Sequence, residues 1–157
     1  MGDYSVIGLP IPAELRLYRS AGLSTGASGV LVSIPWDAES SAPPPLGFLH
    51  AAENITIQAA NRYDLHGAAT ISAGSWTELR VEVQVDAGAG FVARFRSRLP
   101  NSAGVLDPQG PGTAPVACTL DLLVGNVVRV QVTAVGVASH PLLVGELETW
   151  IELRGRS

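Results

Sequence analysis

The side chains able to do chemistry are few in this chain, and their spacing keeps them apart. The histidines are His50, His66 and His140. No two stand at the His-x-His or His-x-x-x-His spacing that brings imidazoles to one metal, and the single cysteine, Cys118, cannot complete a zinc site. Serine, histidine and aspartate all occur, yet no Gly-x-Ser-x-Gly elbow prepares a serine for nucleophilic attack. Glu78 and Glu82 share one face of an alternating run, about 13 Å apart by strand rise, which is too far for two glycosidase carboxylates acting directly. An acidic surface row is the better account of them.

All ten basic residues are arginine and lysine is absent. That removes a phosphate loop ending in Gly-Lys-Ser/Thr, a Schiff-base lysine and a lysine general base. A net charge of −4 speaks against a nucleic-acid groove, because phosphate neutralisation needs clustered cations. Arg94, Arg96 and Arg98 alternate along one strand and are read as a solvated or subunit-facing row. The expectation is a chain with no catalytic residues, no metal and no cofactor.

These residues must be carried by strands. At 157 residues and 46% apolar content the chain fits one domain, able to bury roughly 70% of its unfolded surface. Period-two alternation marks residues 14–20, 29–36, 54–59, 62–72, 76–85 and 91–98, and no amphipathic helix is evident. Near the end come Val116-Ala-Cys-Thr-Leu-Asp-Leu-Leu-Val124, a Gly125-Asn126 turn, Val127-Val-Arg-Val-Gln-Val132, and Glu146-Leu-Glu-Thr-Trp-Ile-Glu-Leu-Arg154. Val128, Val130 and Val132 fall on one face, Arg129 and Gln131 on the other. Cys118 is expected to be buried and inert, and Phe91, Ala93 and Phe95 to share a side. Leu147, Thr149, Ile151 and Leu153 can face the core, leaving Trp150 outward among glutamates. Residues 99–112 hold Pro100, Pro108 and Pro111 and show no periodicity, the mark of a long functional or contact-forming loop. The fold class predicted is all-β, an eight-stranded antiparallel jelly-roll β-sandwich occupying residues 14–157, behind an extended N-terminal arm over 1–13.

No targeting segment is visible. The start lacks a basic region, and its apolar stretch falls short of the ~20 residues needed to span a bilayer, so synthesis in the cytoplasm and no membrane partner are expected. Val6 breaks the myristoylation pattern, and the Asn54-Ile-Thr56 sequon has no leader to give it meaning.

The order Leu15-Arg-Leu-Tyr-Arg19, Val30-Leu-Val-Ser-Ile-Pro-Trp-Asp37, a Pro-rich loop, Ile55-Thr-Ile57, and Ala60-Asn-Arg-Tyr-Asp-Leu-His-Gly-Ala-Ala-Thr-Ile71 resembles the jelly roll of the tumour-necrosis-factor and complement globular-head superfamily, in the small form found in virion proteins of tailed bacteriophages. The segments Leu122-Leu-Val-Gly-Asn-Val-Val-Arg-Val-Gln-Val132 and Thr149-Trp-Ile-Glu-Leu-Arg154 match its last two strands, so the resemblance covers residues 14–154. The chain departs from it at Trp36 and in the 99–112 loop. The resemblance implies a homotrimer on the virion surface, foremost a non-enzymatic capsid decoration (cement) protein bound to the major capsid protein. The alternative is a minor tail or receptor-binding protein whose trimeric head binds host surface carbohydrate. Candidate subunit or particle contacts are Ile7, Leu9, Pro10 and Ile11 in the arm, with His66 and Trp150 on the strands.

Overall fold

The computed structural model describes residues 14–40, 47–101 and 111–156. The arm with Ile7, Leu9, Pro10 and Ile11, and most of the aperiodic loop, lie outside the described residues. Among the described residues thirteen strands follow in chain order: β1 (Glu14–Tyr18), β2 (Leu23–Ser24), β3 (Val32–Ser33), β4 (Ala38–Glu39), β5 (Phe48–Ala51), β6 (Asn54–Ile57), β7 (Asn61–Ile71), β8 (Glu78–Asp86), β9 (Phe91–Pro100), β10 (Gly112–Leu122), β11 (Val127–Val135), β12 (Pro141–Leu143) and β13 (Trp150–Gly155).

They form two antiparallel sheets. In the seven-stranded front sheet, β7 pairs along its whole length with β10 on one side and with β13 and then β12 on the other; β1 and β4 extend the sheet beyond β13, and β2 lies beyond β12. The six-stranded back sheet runs β5-β6-β11-β8-β9, with β3 also on β11. Leu15, Leu17, Tyr63, Leu65, Ile151 and Leu153 from the front meet Ile55, Leu79, Val81, Val83, Val128 and Val130 from the back in one core. Alternation dictates this, since an antiparallel strand with one apolar face must bury that face against the opposite layer. The sheet pair is the jelly roll read from the sequence; nine strands fall on the alternating runs, and four short ones, β2, β4, β5 and β12, are added to the eight-stranded expectation.

Several differences have local causes. The 29–36 run is laddered only at β3, although Ile34 is buried and donates its N–H to the Val130 carbonyl at 2.9 Å. Pro100 ends β9 and Gly112 begins β10, so the aperiodic stretch loses both of its ends to strands. Leu147 does not face the core: it is 81% exposed, because residues 146–148 form a turn, closed by the Glu148 N–H on the Gly145 carbonyl, ahead of β13. Phe91 and Phe95 do not share a side either. Val83 lies opposite Phe95 but Gln84 opposite Ala93, so Arg94 is the extra residue of a β-bulge that reverses the phase of alternation.

The turn expected at Gly125-Asn126 is present. Gly125 has φ of 90°, the Asn126 N–H bonds the Leu123 carbonyl at 3.0 Å, and the Asn126 side chain accepts the Leu123 N–H at 2.9 Å. It makes no hairpin. β10 pairs with β7 while β11 pairs with β3, β6 and β8, so the turn carries the chain from one sheet to the other.

Candidate functional site

The outward face of the front sheet gathers both strand candidates. Register sets its side chains in rows across β1, β13, β7 and β10: Tyr18, Trp150, Ala68 and Pro115 in one, Arg16, Glu152, His66 and Ala117 in the next, Glu14, Arg154, Asp64 and Thr119 in a third. The face is therefore graded, with an aromatic and small-residue strip at one end and an ionic field at the other.

Trp150 is half-buried, with the Arg16 guanidinium carbon 4.0 Å from its ring centroid. Arg16 also reaches Glu152 at 3.2 Å and the Glu146 carbonyl at 2.8 Å, so the cation on the ring is held from two further sides. His66 is exposed, between Glu152 and Ala117 in its row. Ala68, Pro115 and Ala117 beside these residues keep the strip low and flat. Gly67 is used differently from its small neighbours. A Cβ there would lie 2.5 Å from the Trp150 carbonyl oxygen, so its smallness serves the close approach of β13 within the chain.

At the ionic end Arg154 bridges Glu14 at 3.2 Å and Glu152 at 3.4 Å, and Arg62 grips Asp121 through two bonds of 2.8 and 3.1 Å. Asp64 takes a fork from Arg156 at 2.8 and 2.9 Å and the Thr119 hydroxyl at 2.7 Å. The Arg156 hydrogen bond, followed by that from Thr119, holds the Asp64 carboxyl at about 2, below its usual range. Asp121 is lowered in the same way by Arg62.

The histidines stay apart. His50 on β5 is bonded to the Ala52 carbonyl at 2.8 Å, and His140, just before β12, meets the Ser72 hydroxyl at 3.1 Å. Among the described residues, no group of three or more His, Cys, Asp or Glu side chains is placed to hold a metal ion. Cys118 is half-buried on β10 rather than fully covered, and burial pushes its thiol up to about 11. Sequence reasoning singled out Trp150 and His66, which the register brings to one face, but missed Arg16, Tyr18 and the Arg154 bridge. The available signal was the outward set of two runs, Arg16 and Tyr18 against Trp150 and Glu152, which complement each other only once an antiparallel register is assumed.

The two sheets and their strand order define a tumour-necrosis-factor-like jelly roll. No protein-family model matches the sequence, and no curated protein does. Among solved structures the chain is similar to murine APRIL at pH 8.0, with 11% identity and a TM-score of 0.71 over 93% of this chain and 100% of that one. It is similar also to Eiger TNF from S. frugiperda, with 14% identity and a TM-score of 0.72 over 94% of each chain. At such identities the likeness is one of fold.

Proposed function

We propose that this chain is a non-enzymatic structural protein of a tailed-bacteriophage virion, a homotrimer that decorates the outer shell by binding the major capsid protein. The observation that carries self-association is the flat strip of Tyr18, Trp150, Ala68 and Pro115, an aromatic and apolar surface on an open sheet face with ion pairs along one border. A second copy covering that strip removes apolar area from water without breaking the ion pairs behind it. The carboxylates and arginines beside it are tied to one another, which suits a rigid rim better than acid-base chemistry. The virion assignment rests on the resemblance of residues 14–154 to small phage jelly rolls.

Two measurements test the proposal. Sedimentation at micromolar concentration is expected to give a trimer, and a stable monomer would remove the assembly reading. Imaging of particles carrying the protein is expected to place it on the outer shell; density confined to the tail tip would replace decoration by receptor binding.

A further inference from the structure

The opposite face of the molecule has a different character. Strands β8, β9 and β11 carry five of the ten arginines against three of the fourteen acidic residues, so an acidic protein presents one basic sheet. Register puts Thr133, Arg80 and Arg98 in one row of the back sheet and Gln131, Glu82 and Arg96 in the next. Between them lies an open cleft of about 200 Å³, lined by Leu31 on one flank, Arg96 and Arg98 on the other, and Arg80, Glu82 and Thr133 between.

The arginines of the cleft are only partly used by the protein. Glu78 engages the Nε of Arg80, Glu82 takes the Nε of Arg96 at 2.8 Å, and the Nε of Arg98 stands 3.9 Å from Glu78. The Nη groups of all three have no hydrogen bond among the described residues. Arg129 is otherwise occupied, bonded to Gln84 at 2.8 Å with its guanidinium 3.7 Å from the Phe91 ring centroid. A cleft therefore stands open with several guanidinium N–H groups to offer and the Glu82 carboxylate held among them.

We propose that this cleft binds an acidic sugar, one ring of a polysaccharide bearing a carboxylate or sulfate. Guanidinium forks match the planar or tetrahedral oxyanion. The Glu82 carboxylate, which lines the cleft, can accept a hydrogen bond from a sugar hydroxyl, a donor that a DNA backbone does not supply. Among the described residues no aromatic ring lines the cleft to stack a base, which disfavours single-stranded nucleic acid. The volume equals about seven waters at ~30 Å³ each, the scale of one ring. The inference goes beyond the assembly role and holds for a monomer or a trimer; it gives the carbohydrate-binding alternative a place on the fold.

The test titrates the full chain with an oligogalacturonate, a sulfated dextran oligomer and uncharged dextran, followed by calorimetry. Binding of one or both charged oligomers and not of dextran is expected. The double variant Arg96→Gln/Arg98→Gln should weaken it about tenfold or more, Arg96→Lys/Arg98→Lys should recover part of the loss, and Arg62→Gln on the other sheet should stay within about twofold. Circular dichroism of each variant establishes that the sandwich is intact. The proposal is overturned if the wild-type chain binds neither charged oligomer, or if the folded double variant binds as the wild type does. It is equally overturned if inorganic sulfate binds as tightly as the saccharides, or if a single-stranded oligonucleotide binds more tightly and is lost in the same double variant. None of these outcomes touches the oligomeric state, so the assembly reading stands or falls separately.

Discussion

Asp64 shows how a single exposed carboxylate can report on the front sheet. Its folded-state value of about 2 lies below the ordinary 3.8, so the native state binds fewer protons than the unfolded chain across that interval. Stability from this group is fully present above its unfolded value and is lost as pH falls through its folded one. Thermal denaturation should therefore show Tm declining between roughly pH 4 and pH 2, and Asp64→Asn should flatten that decline by lowering Tm at neutral pH while leaving Tm near pH 2 almost unchanged. An equally steep acid limb in the variant would place the linkage elsewhere. Cys118 makes a second residue-scale prediction. With its thiol pushed up to about 11, little thiolate exists at neutral pH, and alkylation by iodoacetamide should run about tenfold or more slower in the native protein than in urea. Equal rates would mean that its half-buried position confers no protection.

At the scale of elements, β7 is the strand on which the front sheet is built, and Gly67 is its closest point to a neighbour. Replacing it by alanine sets a methyl 2.5 Å from the Trp150 carbonyl oxygen and against the Ile151 side chain. The two strands must separate, at a cost of about 1–3 kcal/mol, and Tm should fall by several degrees. An unchanged Tm for Gly67→Ala would show that β13 can shift freely. β7 was legible in the sequence because Tyr63, Leu65, Ala69 and Ile71 alternate without interruption and all are buried. So was β8, from Leu79 to Val85. β9 was not, because a bulge at Arg94 is a property of pairing with β8 and leaves no mark on composition; the run Phe91 to Arg98 simply reads in one phase when it has two. Leu147 misled for a related reason. Its spacing from Ile151 is strand spacing, but Gly145, with φ of 136°, starts a turn there first. The contact of Arg16 with Trp150 joins residues 134 positions apart in sequence, and only the register of β1 on β13 brings them together.

Across the whole molecule the two sheet faces divide the surface into unlike halves. The back sheet is basic, while the front sheet runs from Trp150 and Tyr18 at one end to interlocked ion pairs at the other. An interface built on the front face would bury the aromatic strip at its centre and keep the charges at its edge, the arrangement in which a desolvated ring carries most of the binding energy. Mass action then ties folding to assembly: a species that binds only the native state stabilises it in proportion to the logarithm of its concentration. The Tm of the wild-type chain should accordingly rise as protein concentration is raised. Trp150→Ala removes the ring but keeps Arg16 bonded to Glu152 and the Glu146 carbonyl, so the sandwich should still fold. In that variant Tm should no longer depend on concentration, and sedimentation should return a monomer. A concentration-independent Tm in the wild type, or an undiminished oligomer in the variant, would move the contact surface away from this face.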